Sequence, residues 1–165
     1  MGKSLYPDIH IPSIYDIDLS YLKSKGITNM IIDIDNTLSK WGSKMPDEKV
    51  CSWIKGSKAS GFKICILSNS SNKRISLYCS ELNVLFCKNV RKPLKSSFIN
   101  AMNLLESQFY NTCVVGDQIF TDILGGNKCS LFTILVNPID RNEFILTRII
   151  RIIEAKFLKR YYMKR

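Results

Sequence analysis

Short apolar runs alternate along this chain with longer stretches in which apolar residues recur every three to four positions. The runs at 30–35, 62–67, 112–116 and 132–136 read as buried strands, and 84–86 reads as a weaker fifth. The helical spacing predicts helices over 47–60, 72–82, 95–108 and 120–129. Strands that alternate with helices in this way imply right-handed crossovers and a mainly parallel sheet with helices on both faces. The expected architecture is α/β: one three-layer, Rossmann-like domain over residues 1–140, with 1–25 as a leading arm and helix. Residues 141–165 are expected to form a basic amphipathic helix, packed on the domain or trailing it.

In such a sheet, chemistry collects beyond the carboxyl ends of the strands. The residues there are Asp33 and Asp35, Ser68 and Asn69, Arg91 and Lys92, and Asp117. Two carboxylates ending one buried strand repel each other and are costly to desolvate unless a cation joins them. Asp117 offers a third oxygen ligand. Carboxylates, a backbone carbonyl, water and a substrate phosphate together make the kind of site that Mg²⁺ favours. Each of these residues also has a purely structural reading. An Asp can cap the helix that follows it, and Ser68-Asn69-Ser70-Ser71-Asn72 makes a good turn and helix start. The sequence supplies its own contrast: Asp16-Ile17-Asp18 follows no apolar strand and precedes a helical pattern ended by Gly26, so it reads as a cap.

Composition narrows the classes. Six cysteines are scattered without a CxxC pair, and the single histidine, His10, gives no Cys/His zinc spacing and no Ser–His or Cys–His mechanism. No apolar run is long enough for a transmembrane helix, and the first residues lack the apolar core of a signal peptide. The net charge of +10 suits an anionic partner: phosphorylated substrate, anionic lipid or nucleic acid.

Asp33-x-Asp35-x-Thr37 after a hydrophobic strand resembles motif I of the haloacid dehalogenase (HAD) superfamily of phosphotransferases. Ser68-Asn69 resembles motif II, Lys92 motif III, and Gly116-Asp117 with Asp122 the GDxxxxD form of motif IV. The Leu5-Tyr6-Pro7-Asp8 segment, Asp33-Ile34-Asp35-Asn36-Thr37-Leu38 and Thr121-Asp122-Ile123-Leu124-Gly125-Gly126-Asn127 resemble the YqeG-like branch of subfamily IIIA, which is related to the mitochondrial phosphatidylglycerophosphatases. The resemblance implies a Mg²⁺-dependent phosphatase. Asp33 is then the nucleophile, and Asp35 the acid and base. Ser68 and Asn69 bind phosphate, and Lys92 counters its charge. Asp33, Asp117 and the Asp35 backbone hold metal, and Asp122 orients Lys92 or metal-bound water. It also implies an anionic phospholipid substrate, phosphatidylglycerophosphate.

Only 32 residues separate Asp35 from Ser68, and 23 separate Ser68 from Lys92. Each interval is filled by one helix and its connections, so no inserted cap domain is expected. An open site suits a phosphate presented on a membrane, a protein or a nucleic-acid end. Residues 141–165 carry eight basic and two acidic residues. On a helix, Arg141, Arg148, Arg151 and Lys159 fall opposite an apolar stripe, the pattern of an interfacial helix. The expected location is cytoplasmic and peripheral at the inner membrane face, or at the matrix face of a mitochondrion. The competing readings are a phosphatase for a protein, a nucleic-acid end or a small phosphometabolite, and a non-catalytic ribosome- or RNA-associated regulator. No RNA-recognition motif supports the last.

Overall fold

The computed structural model describes residues 5–140. The expected basic helix with Arg141, Arg148, Arg151 and Lys159 lies outside the described residues. Six strands form one fully parallel sheet: β1 (Ile9–Ile11), β2 (Asn29–Ile32), β3 (Lys63–Ile66), β4 (Leu85–Phe86), β5 (Thr112–Gly116) and β6 (Phe132–Val136). Their order is β1-β6-β5-β2-β3-β4. The α-helices among the described residues are α1 (Leu19–Ser24), α2 (Glu48–Ala59), α3 (Asn72–Leu82), α4 (Lys95–Leu105) and α5 (Leu124–Lys128).

The alternation of side chains along each strand divides the core into two layers. Met30, Ile32, Ile64, Ile66, Cys113 and Val115 pack toward Leu22 of α1, Val50 and Ile54 of α2, and Ile75 and Tyr78 of α3. Their neighbours Ile31, Cys65 and Val114 pack on the other side with Phe98, Ala101 and Leu105 of α4. Both faces are therefore covered, which is why the strands read as continuous apolar runs.

The helix starts are capped as their sequences suggest. Asp18 accepts from Tyr21 N–H at 2.9 Å, Asp47 from Val50 N–H at 2.8 Å, and Ser71 from Arg74 N–H at 3.4 Å. The second of the two Asp-x-Asp segments thus ends a strand, while the first introduces a helix. Helix α4 stops at Leu105, earlier than its spacing predicts, because Glu106 turns into the left-handed region at φ 53°. The helix expected over 120–129 opens as a π-helical turn, Ile119–Ile123, before becoming α5. The leading segment supplies the edge strand β1, paired with β6. Among the described residues there is no inserted domain. No helix there is long and apolar enough to cross a membrane.

From β2 the chain extends the sheet through β3 and β4 on one side and then through β5 and β6 on the other, so the switch point lies between β2 and β5. Gly125 and Gly126 let α5 settle close beside that point. A Cβ on Gly125 would run into the Phe98 ring, and one on Gly126 would stand 2.7 Å from Thr133 Cγ2. Gly56, by contrast, lies in α2 with open space around it. Replacing Gly125 by Ala should therefore destabilise the protein by about 1–3 kcal/mol through overpacking. Gly56→Ala should stabilise it by about 0.4–1 kcal/mol. Urea unfolding of the two variants checks the contrast, and equal effects would contradict the packing described.

Candidate active site

The backbone of β2 carries its pairing one residue past the strand: Asp33 N–H donates to the Val115 carbonyl at 3.0 Å. The chain then turns sharply. Asn36 adopts φ 59°, a left-handed conformation that Asn tolerates better than most residues. Its carbonyl and side-chain oxygen accept from Ile139 and Asp140 N–H at 3.1 and 3.2 Å, tying this loop to the segment leaving β6. Regular strand geometry has already ended at Ile32, and the Asp33 and Asp35 carboxylates enter different surroundings.

Asp33 is buried against Lys92. The Lys92 Nζ lies 2.9 Å from Asp33 Oδ1 and 2.6 Å from Asp122 Oδ1. The first approach is an ion contact whose angle falls outside hydrogen-bond geometry, so Asp33 Oδ1 accepts no aligned hydrogen bond. The second is a hydrogen-bonded pair. Lys92 itself is held from behind: Asn69 Oδ1 accepts its backbone N–H at 2.8 Å, and Asn69 Nδ2 donates to its carbonyl at 3.5 Å. The Asn69 side chain is thus spent on placing Lys92. Ser71 caps α3, while Ser68 stays buried at the cleft and accepts from Ser70 N–H at 3.3 Å.

Asp122 reaches back beneath the end of β5 because Gly116 has no side chain. A Cβ there would collide with the Asp122 carboxylate. The other oxygen of Asp122 accepts from Gln118 N–H at 3.2 Å and Thr121 Oγ1 at 3.3 Å. Asp117, from the same loop, accepts from Thr37 Oγ1 at 3.2 Å.

Asp35 faces a different cation. Arg74 donates through Nη1 to Oδ2 at 2.7 Å and through Nη2 to Oδ1 at 2.8 Å, while Gly42 N–H donates to Oδ1 at 2.8 Å. The same guanidinium donates to the Ser43 carbonyl and to Ser70 Oγ, each at 2.9 Å. Arg74 therefore ties Asp35, the loop after it and the motif-II loop together. No motif or spacing in the sequence singles out Arg74. Its position in the first turn of the helix after Ser68-Asn69 was the available signal, since the topology sets that turn beside the Asp35 loop.

Asp33, Asp35, Ser68, Asn69, Lys92 and Arg74 line one cleft of about 210 Å³, with Trp41, Ser70, Gln118 and Thr121. A larger hollow of about 420 Å³ beside β1 and α1 contains Asp8, Asp16 and Asp18. Those carboxylates are engaged locally, by Thr133, Ser13 and Tyr21 respectively, and among the described residues lining the hollow there is no lysine, arginine, serine or cysteine. The chemistry belongs to the smaller cleft. No cysteine lines it, and His10 lies elsewhere, its Nε2 2.9 Å from Asn137 Oδ1.

Carboxylate oxygens of Asp33, Asp117 and Asp122 lie within 4.8 Å of one another, and all three residues are buried. An all-oxygen donor set of this kind fits a hard divalent cation. Because both Asp122 oxygens already accept hydrogen bonds, Asp33 and Asp117 are the carboxylates suited to hold it. The Asp33 Oδ1 that lacks an aligned hydrogen bond supports that fit. The Asp35 side chain is turned to Arg74 and takes no part in the cluster.

Burial pushes the Asp33 carboxyl up to about 6; Lys92 pulls it down and the charge of Asp122 pushes it up again. Burial alone would lower the Lys92 ammonium, but Asp122 and Asp33 outweigh it and raise it, so Lys92 stays charged through the neutral range. For Asp33 the folded value exceeds the unfolded one. Its contribution to stability is therefore full below about 4 and is lost as pH rises to about 6, at no more than about 1.4 kcal/mol per unit. In chelator, the parent should lose stability relative to Asp33→Asn across that window, as read by urea unfolding at stepped pH. Parallel profiles for the two proteins would contradict the buried, proton-retaining Asp33.

A HAD-hydrolase-like family model matches residues 89–138, the stretch holding Lys92, Asp117 and Asp122. The chain is 33% identical to "Probable phosphatase YqeG" of Bacillus subtilis (strain 168), over 96% of its own length and 92% of that protein's. It is 27% identical to "Phosphatidylglycerophosphate phosphatase 1, chloroplastic/mitochondrial" of Arabidopsis thaliana, over 96% of its own length and 48% of that protein's, so it spans about half of the plant relative. Its fold matches the crystal structure of 3-deoxy-D-manno-octulosonate 8-phosphate phosphatase from Moraxella catarrhalis, in complex with magnesium ion, phosphate ion and KDO. That likeness has a TM-score of 0.53 at 16% identity and covers 73% of this chain and 74% of that one. Four motifs at the strand ends of a parallel sheet, and an end-to-end relative at this level of identity, place the chain in the HAD superfamily as a member of its YqeG-like branch.

Proposed function

We propose that this HAD-type phosphatase removes the terminal phosphate of an anionic phospholipid of the phosphatidylglycerophosphate kind, working at a membrane surface. The observation that carries the chemistry is the buried Lys92 ammonium set 2.9 Å from Asp33. It offsets the repulsion between a carboxylate nucleophile and a phosphate dianion. The lipid is supported by the plant relative's activity and by the absence of an inserted lid among the described residues.

In this reading, an Asp33 oxygen attacks phosphorus. The Asp33 oxygen–phosphorus bond forms as the ester oxygen–phosphorus bond breaks, and Asp35 gives the leaving oxygen its proton. Water then attacks phosphorus of the aspartyl-phosphate, Asp35 takes the proton, and phosphate leaves with Asp33 restored. Ser68 Oγ and the Asn69 backbone N–H would hydrogen-bond the phosphoryl oxygens. Asp33, Asp117 and the Asp35 carbonyl would hold Mg²⁺, which supplies positive charge to the transferring phosphoryl group when bound. Asp122 keeps Lys92 in place.

Arg74 aims Asp35. Its loss should matter most where the leaving group needs a proton. Arg74→Met should reduce hydrolysis of an alkyl phosphate by about tenfold or more, and that of a good aryl leaving group by much less. Equal losses on both esters would show that Arg74 only supports the fold.

In the cell, the protein would be cytoplasmic and peripheral at the inner membrane face, or at the matrix face of a mitochondrion. Arg141, Arg148, Arg151 and Lys159 would strengthen attachment by roughly 1 kcal/mol each near anionic lipid. The test is Mg²⁺-dependent phosphate release from phosphatidylglycerophosphate vesicles, set against soluble phosphomonoesters. The expected result is a kcat/KM at least about tenfold higher on the vesicles, abolished by Asp33→Asn, whose turnover falls by orders of magnitude. A preference for soluble esters would remove the lipid assignment and leave the phosphatase. Asp33→Asn activity within about tenfold of the parent would remove the covalent mechanism.

A further inference from the structure

We infer that the rim of the cleft is itself a docking face for an anionic lipid bilayer, with Trp41 as its point of insertion. This rests on the lipid reading above and adds the surface by which the site meets the lipid.

In a fully parallel sheet, every loop leaving the carboxyl end of a strand opens on the same edge. The loops after β1, β2, β4 and β6 therefore share the edge that carries the cleft. Each of these loops holds a large apolar side chain out in solvent: Tyr15 after β1, Trp41 and Met45 after β2, Leu94 after β4, and Ile139 after β6. Trp41 and Leu94 are each 52% exposed, far more than a core role allows. Trp41 also lines the cleft, so apolar surface continues to the mouth of the site.

These side chains are presented by braced loops. The Trp41 loop is pinned on one side by Gly42 N–H donating to Asp35 at 2.8 Å, and on the other by Arg74 Nε donating to the Ser43 carbonyl at 2.9 Å. Gly42 makes the turn at φ 79°, a conformation that favours glycine. Ile139 is fixed through its N–H to the Asn36 carbonyl at 3.1 Å. The nucleophile loop and the rim are thus parts of one hydrogen-bonded frame.

The charge around these apolar groups is positive. Lys40 and Lys44 flank Trp41, and Arg91 stands beside Leu94, all exposed. Of the acids on these loops, Asp47 accepts from Val50 N–H and Asp16 from Ser13 Oγ, while Glu48 and Asp140 stand farther from Trp41 in the chain than Lys40 and Lys44 do. An indole that sits at the headgroup boundary, aliphatic groups beside it and lysines reaching lipid phosphate together form an interfacial surface. A soluble phosphometabolite needs no such rim. A nucleic acid would use the cations and the indole but gains nothing from Leu94, Met45 and Ile139, which offer no stacking face.

The test uses the full chain carrying Trp53→Phe, which leaves Trp41 as the sole indole of the two in the sequence. Vesicles of phosphatidylglycerol and phosphatidylcholine should shift Trp41 emission to the blue, and bromine on the acyl chains should quench it by about half or more; pure phosphatidylcholine should do neither. Met45→Ser with Leu94→Ser should weaken vesicle binding by about fivefold or more while hydrolysis of a soluble aryl phosphate stays within about twofold. Gln at Arg148, Arg151 and Lys159 should lower affinity yet keep the quenching at saturating lipid. Vesicle binding without Trp41 quenching would overturn the proposal, because attachment would then run through the tail alone. So would a Trp41 response to RNA but not to vesicles. A protein that cleaves aryl phosphate and never responds to vesicles loses the docking face and keeps the phosphatase; one that binds vesicles and cleaves nothing loses the phosphatase.

Discussion

The Lys92 ammonium, buried between Asp33 and Asp122, is the interaction around which the site is built. Three charges removed from water are costly, and a buried ion pair gives back its desolvation only when its geometry is tight and its remaining groups are satisfied. Much of the local structure meets that condition. Asn69 grips the Lys92 backbone on both sides. Gln118 and Thr121 satisfy the far oxygen of Asp122. Gly116 leaves the space into which Asp122 folds back. These residues come from the ends of β3 and β5 and from the loop after β4, and only the parallel sheet brings those ends together.

Two neighbouring carboxylates acquire different characters from two different cations. Asp33 is buried, faces a lysine through a single close contact, and sits among other carboxylates at the oxygen cluster suited to metal. Asp35 is held as a fork by Arg74 at the cleft wall. Residues that differ by two positions in sequence would share a face on a continuing strand. Strand β2 ends at Ile32, before either residue, and the two carboxylates diverge, which leaves the proposed nucleophile and the proposed proton carrier in separate surroundings.

Much of this was legible in the sequence because it follows from periodicity. The four strong apolar runs became β2, β3, β5 and β6, and the weak one became β4. Asp33, Ser68, Lys92 and Asp117 each follow an apolar run, so the strand-end rule singles them out from the sequence. The features that escaped depend on contacts distant in sequence. Strand β1 is three residues long, too short for a period to emerge, and is defined by its pairing to β6 across more than a hundred residues. Arg74 looks like any surface arginine until the fold sets Asp35 against it. Gly116 reads as part of a motif, but its physical reason is the Asp122 side chain, visible only in three dimensions. The π-helical turn at Ile119–Ile123 likewise disguises itself as the start of a helix.

The proposed reaction turns on a carboxylate that attacks phosphorus and is then regenerated, that is, on two displacements. The stereochemical course at phosphorus reads this most directly. A phosphorothioate monoester made chiral at phosphorus with two oxygen isotopes, hydrolysed by the Mg²⁺-loaded enzyme in water carrying the third, should yield thiophosphate of retained configuration, because two inversions cancel. Net inversion would mean that water attacks the substrate in a single step, and the role given to Asp33 would fall.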